Sequence, residues 1–254
     1  MSKRLIIAST STLHGGDYLE YLLPTLKIHF KDCKTIIFIP YARPGGLSHD
    51  DYTSKVKATF ATINIAVKGI HEFENAAIEI KNAEGIFTGG GNTFLLVSQL
   101  YKNNVMETLS NVVENGTPYL GTSAGSNITG ISMQTTNDMP IIYPPSFKTL
   151  GLIPFNLNPH YLDADLQSKH MGETRETRIK EFHALNETPV LGLREGSWLE
   201  VNNKAIVLKG DLTARLFRQG KDTEEVAQLV ELQPSKLVVA SSSLVFRSSK
   251  TRII

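Results

Sequence analysis

One cysteine in 254 residues, Cys33, leaves no partner for an internal disulfide and no thiolate set for a Cys-rich zinc site. Charge of one sign is equally scarce. Lys and Arg number 26 against 25 Asp and Glu, for a net charge of +1. A chain so balanced lacks the basic footprint of a nucleic-acid binder. Long apolar runs are missing at the start. After Met1-Ser2-Lys3-Arg4 comes only Leu5-Ile6-Ile7-Ala8, too short for a signal-peptide core or a membrane span. There is no repeat of fixed period and no linker rich in Pro, Gly or Ser. What remains is 41% apolar and 20% charged, a globular composition long enough for one large domain or two small ones. The expectation is a cytoplasmic chain with neither a membrane nor a nucleic acid as partner.

Short apolar runs alternate with helical spacing. Leu5-Ile6-Ile7-Ala8, Thr35-Ile36-Ile37-Phe38-Ile39, residues 63–67, Gly85-Ile86-Phe87-Thr88 and Pro118-Tyr119-Leu120-Gly121 read as strands buried on both faces. Residues 18–26, 51–61, 75–82 and 94–114 read as helices, the last as one or two, with Pro24 an awkward interior residue in the first. This alternation predicts an α/β fold with a mostly parallel sheet covered by helices on both faces. Residues 126–160 look irregular, as long functional loops do. Residues 174–184 predict a helix, residues 189–193 a strand, and residues 197–201 with 204–208 a hairpin over Asn202-Asn203. The Ser-rich, basic stretch from Pro234 onward is either an extension or an added edge strand.

The strongest motif is Gly121-Thr122-Ser123-Ala124-Gly125, between a strand and a helix. A tight turn there lifts one side chain out of the sheet, and glycines at its ends remove Cβ clashes. The helix start adds free N–H groups and a positive dipole end beside Ser123. The plainer alternative is a serine-capped helix. A serine nucleophile needs a base. Of seven histidines, His160 stands apart in Asn158-Pro159-His160 after an apolar run, where an element of the same sheet would end. His29 and His183 fall within helical patterns and read as packing or surface residues. For the third member, Glu195 follows the apolar strand Val190-Leu191-Gly192-Leu193, and Asp138 on the irregular loop is its rival. Asp163 and Asp165 lie too near His160 in sequence to be preferred. Gly89-Gly90-Gly91-Asn92-Thr93 is neither a dinucleotide fingerprint nor a P-loop, which would need a lysine. Its exposed amides would suit half of an oxyanion hole, the N–H of Ala124 supplying the other half, unless it is only a turn capped at Asn92 or Thr93. In Gly172-Glu173-Thr174-Arg175-Glu176-Thr177-Arg178, an arginine at a helix start would hold a substrate carboxylate in a bidentate fork; otherwise the run is a solvated helix face.

Jointly these segments, with Thr135-Thr136-Asn137-Asp138-Met139-Pro140 and Gly192-Leu193-Arg194-Glu195-Gly196-Ser197-Trp198, resemble the peptidase E family. These are the aspartyl dipeptidases of the serine peptidase group that also contains the cyanophycinases. The resemblance spans residue 1 to about 232. It implies a flavodoxin-like fold of the class I glutamine amidotransferase kind. It implies a Ser-His-Glu triad at Ser123, His160 and Glu195, with Asp138 the weaker alternative acid. It further implies an oxyanion hole at the N–H groups of Gly91 and Ala124, and Arg175 as reader of a substrate Asp side chain. The implied activity is hydrolysis of Asp-X dipeptides by a monomer or homodimer, with no metal and no cofactor. The rivals are a cyanophycinase-like or other acidic-peptide hydrolase, and a catalytically silent binding protein on the same fold. The chain departs from the family pattern at Thr122 (where tryptophan is usual), Ser126 (a small apolar residue) and Arg194 (proline). Residues 1–232 are expected to form one hydrolytic domain, and residues 233–254 a tail of unknown role.

Overall fold

Consecutive residues of the first strand bury opposite faces. Leu5 and Ile7 enter one apolar cluster, Ile6 and Ala8 another. That two-sided burial turns a short apolar run into the centre of a sheet. The computed structural model describes residues 2–165, 167, 169, 171–227, 230–233 and 236–239. In chain order the elements are β1 (Arg4–Ala8), α1 (Leu23–His29), β2 (Thr35–Ile39), α2 (His49–Ala61), β3 (Ala66–Gly69), α3 (Ala76–Lys81), β4 (Ile86–Thr88), α4 (Thr93–Lys102), α5 (Met106–Glu114), β5 (Tyr119–Thr122) and α6 (Ala124–Asn127). They continue with β6 (Asn156–Pro159), α7 (Arg175–Leu185), β7 (Val190–Leu193), β8 (Trp198–Asn202), β9 (Ala205–Lys209), β10 (Ala214–Phe217), β11 (Glu224–Val226), β12 (Val230–Gln233) and β13 (Lys236–Val239).

The larger sheet has nine strands in the order β13-β12-β9-β8-β1-β5-β4-β2-β3. From β1 to β3 every pairing is parallel. From β1 outward through β8, β9, β12 and β13 every pairing is antiparallel. Leu22, Leu26, Val56 and Phe60 cover one face of the parallel part, and Leu96, Val97, Leu109 and Val113 the other. This is the α/β, flavodoxin-like architecture with helices on both faces. β13 lies beyond residue 232 and pairs with β12; residues 240–254 lie outside the described residues.

Three boundaries differ from the sequence expectation, each for a local reason. The strand expected at residues 63–67 begins at Ala66. Ile63 and Ile65 both donate their amides to the Phe60 carbonyl, and Asn64 is left-handed at φ 61°, so the end of α2 takes up those residues. Pro24 is not interior. A 3-10 turn over Glu20–Leu22 precedes α1, which places the proline in the first helical turn where no N–H is missed. The apolar stretch 94–114 divides into α4 and α5 at Asn104, φ 54°.

His160 also sits elsewhere than expected. It leaves β6, which belongs not to the sheet of Ser123 but to a second sheet of order β11-β10-β7-β6. β6 and β7 run parallel with Pro159 opposite Leu193, so the residues that follow both strands emerge side by side. Among the described residues no helix is long and apolar enough to cross a membrane.

Candidate active site

Ser123 follows β5 with φ 53° and ψ −112°, and its side chain makes no capping bond to α6. The capped-helix alternative is thereby excluded. The turn is this tight because a Cβ on Gly125 would stand 2.1 Å from the Thr88 carbonyl oxygen, and one on Gly121 2.4 Å from that of Gly125. No residue with a side chain fits either position without moving backbone.

The exposed Oγ of Ser123 lies 2.9 Å from His160 Nε2, and His160 Nδ1 lies 2.5 Å from Glu195 Oε1. A carboxylate only accepts, so the Nδ1 proton donates to Glu195 and leaves Nε2 free to receive the serine proton. Asp138, the rival acid, is engaged elsewhere. Its Oδ2 accepts from the Thr93 amide at 2.7 Å, the Thr93 hydroxyl at 2.6 Å and the Thr136 hydroxyl at 3.0 Å, at the start of α4.

The Gly89-Gly90-Gly91 turn packs directly on the serine. A Cβ built on Gly90 would be 2.9 Å from Ser123 Cβ. Gly91 adopts φ 145°, and there too a side chain is barred, with Ala42 O only 2.3 Å from the Cβ position. The Gly91 amide has no acceptor among the described residues, and Ala124 opens α6 with its own amide unused there. Asn92 does cap α4, accepting from the Leu95 amide at 3.0 Å, so the turn both starts a helix and leaves a donor beside Ser123.

Arg175 opens α7, which Thr174 caps by accepting from the Thr177 amide at 3.1 Å. Its guanidinium is half-buried. Desolvation, then the neighbouring Arg178, depress its pKa from the ordinary arginine range, and Asp138 opposes them. Arg175 lines a pocket of ≈ 450 Å³ with Asp163, Asp165, Glu173 and Arg178. Thr122 is fully buried in β5, so its departure from the family pattern does not reshape that pocket.

The residue that sequence reasoning passed over is Ser9, the first residue after β1. It is fully buried. Its hydroxyl accepts from the His160 amide at 2.8 Å and donates to the Leu193 carbonyl at 2.7 Å, while its own amide donates to the Ser197 carbonyl at 3.1 Å. One side chain from the large sheet thus holds the ends of both strands of the small sheet that carry His160 and Glu195. It also satisfies the amide of a left-handed residue, since His160 has φ 53°. Ser9→Ala should lower kcat by about 10- to 100-fold with KM nearly unchanged, because the imidazole loses its anchor but the pocket does not. Steady-state kinetics beside a thermal melt checks this.

Other reactive groups lie apart. Cys33 donates to the Glu84 carbonyl, and burial pushes its thiol up to about 11. His29 bonds the Tyr119 carbonyl, and burial pushes its imidazole down to about 3. His183 is buried against the Asn186 carbonyl, and His49 faces His71 with ring centroids 5.3 Å apart. His170 lies outside the described residues. Among the described residues no group of three or more His, Cys, Asp or Glu could hold a metal ion.

A serine raised on a strand-to-helix turn of a mixed α/β sheet, in line with an imidazole and a carboxylate, defines an α/β serine hydrolase. The profile of Peptidase family S51 matches residues 5–209, and the chain belongs to that family of serine peptidases. It is 48% identical to peptidase E of Streptomyces coelicolor over 88% of this chain and 90% of that one. It is 43% identical to a probable alpha-aspartyl dipeptidase of Drosophila melanogaster over 91% and 96% of the two chains. The crystal structure of a putative peptidase E protein from Listeria monocytogenes superposes with a TM-score of 0.62 at 20% identity, covering 83% of this chain and 100% of its own. A peptidase from an acI-B1 Actinobacterium gives 0.67 at 16% identity, over 89% and 95%.

Proposed function

We propose that this peptidase hydrolyses dipeptides with an N-terminal aspartate, Asp-X, through an acyl-enzyme on Ser123. The observation that carries the reading is the hydrogen-bonded row from Ser123 Oγ through His160 to Glu195, with Arg175 as a cation in a pocket whose Asp163 bonds Arg194, the residue before Glu195. His160 takes the serine proton as Oγ attacks the peptide carbonyl, then returns it to the departing amine of X. Glu195 holds the imidazole in the required tautomer and balances its transient charge. The amides of Gly91 and Ala124 receive the oxyanion, each worth about 3 kcal/mol in comparable serine hydrolases. Arg175 binds the aspartate side chain through its planar fork. Water then repeats the sequence to release aspartate. The names of the relatives support the same substrate class. The proposed setting is the cytoplasm, with residues 1–232 acting as one hydrolytic domain in a monomer or homodimer.

The test is a panel of Asp-X, Glu-X, N-blocked Asp-X and β-linked aspartyl peptides. Cleavage of Asp-X at least about 100-fold faster than of the blocked or Glu-X forms is expected, since a misplaced carboxylate or a lost amine leaves buried charge unpaired. A preference for β-linked peptides would point to a cyanophycinase-like enzyme instead. No turnover, with no labelling of Ser123 by a phosphonate fluoride, would leave a silent binding protein.

A further inference from the structure

The pocket that holds Arg175 carries a charge problem. Its ionisable lining is three carboxylates, Asp163, Asp165 and Glu173, against two guanidiniums, Arg175 and Arg178. A pocket with that surplus repels the acidic side chain assigned to it. Two of the carboxylates are answered by neighbours. Glu173 lies 3.6 Å from Arg178 across exposed surface. Asp163 is gripped far more closely by Arg194, with Nε 2.7 Å from Oδ2 and Nη2 2.9 Å from Oδ1, a bidentate fork. Those hydrogen bonds hold the Asp163 carboxyl below the usual carboxylate range.

Arg194 cannot leave this position cheaply. Its side chain is 14% exposed. The remaining donors reach Glu225 at 2.9 and 3.2 Å, and both the carbonyl and the hydroxyl of Thr213 at 2.7 Å. Arg215 backs the cluster, 3.4 Å from Glu225 and 3.2 Å from Glu176, the neighbour of Arg175. Arg175 itself has no salt-bridge partner among the described residues.

We infer that Arg194 is a specificity-determining positioning residue: it takes up the charge of Asp163, so that the rest of the ionisable lining, Asp165 and Glu173 against Arg175 and Arg178, is balanced and Arg175 meets an incoming carboxylate without a surplus of anions around it. The inference rests on the Asp-X reading and names a residue outside the catalytic row. Arg194 adjoins Glu195 in sequence, so a purely geometric role is the rival account, and the two separate cleanly.

The experiment compares kcat and KM on Asp-Leu for the wild-type enzyme, Arg194→Gln, and Arg194→Gln combined with Asp163→Asn. If charge is the cause, Arg194→Gln raises KM by about tenfold or more with kcat within about threefold. The double variant, which removes the exposed anion as well, returns KM to within about threefold of wild type. Added salt shrinks the single-variant defect by screening. A double variant as impaired as the single one, or a loss carried by kcat, overturns the inference in favour of geometry. Unchanged kinetics in Arg194→Gln overturns it outright. Should the single variant fail to fold, a folded double variant with near wild-type KM still supports the charge account, and a double variant that also fails to fold overturns it. A wild-type enzyme inactive on Asp-Leu sinks the substrate reading, and this inference with it. Activity with the wrong variant pattern sinks this inference alone.

Discussion

Ser123→Ala is expected to lower kcat on Asp-X dipeptides by about five to six orders of magnitude, as loss of the nucleophile does in other serine peptidases. The reason is structural as well as chemical. The backbone at Ser123 holds φ 53° and ψ −112°, a conformation that serves only to present Oγ at the end of the sheet, 2.9 Å from His160 Nε2. Alanine fits that backbone as well as serine, so the fold and the melting temperature should change little. The residual rate comes from the oxyanion donors and from binding, and should stay about 10³- to 10⁴-fold above water. Single-turnover kinetics with a chromogenic Asp-amide, beside labelling by a phosphonate fluoride, reads both effects. Hydrolysis of Asp-Leu at an undiminished rate would remove Ser123 from the mechanism and leave the row from Oγ to Glu195 without a purpose.

Arg175→Ala should reduce kcat/KM for Asp-X by about 10²- to 10³-fold, because an aspartate side chain in the pocket would be left desolvated without a countercharge. The effect should concentrate on acidic substrates, with Ala-X, a poor substrate for the wild type, nearly unaffected. Arg175→Lys separates charge from shape. It keeps a cation but loses the fork, and a deficit of about tenfold is expected. Thr174 caps α7 independently of Arg175, so the helix should survive both substitutions. Measuring kcat/KM on paired Asp-Leu and Ala-Leu gives the selectivity directly. An alanine variant that kept the wild-type ratio would show that the carboxylate is read elsewhere.

Much of this site was legible in the chain because its physical signals are local. Gly121 and Gly125 bracket Ser123 at the spacing a strand-to-helix elbow needs, and the short runs Leu5-Ile6-Ile7-Ala8 and Tyr119-Leu120-Gly121 announce strands without a solvent face. Gly91, Ala124 and Arg175 each stand at a helix start or the turn before one, positions that sequence punctuation marks well. The choice between Glu195 and Asp138 was not local. Both are carboxylates near a predicted element end, and only the packing of β6 beside β7 brings Glu195 to His160 while Asp138 bonds Thr93.

Two further features left no mark in the sequence. Ser9 is one hydroxyl in a run of Ser and Thr, and its partners lie 151 and 184 positions away. Arg194 read as a departure from a family pattern, and Asp163 as a carboxylate too near His160; together they form a fork across 31 positions.

By itself the sequence determined the kind of sheet, the elbow at Ser123 and the exclusion of an internal disulfide or a Cys-rich zinc site, because hydrophobic periodicity and glycine placement act over a few residues and a lone cysteine has no partner. Its near-zero net charge further required any selectivity for an acidic substrate to be local. Tertiary structure alone decided that a second sheet supplies the imidazole and the carboxylate, that Ser9 ties the two sheets together, and that Arg194 silences Asp163. Hydrogen bonds and ion pairs depend on distances of about 3 Å, and such distances between remote residues exist only once the chain is folded.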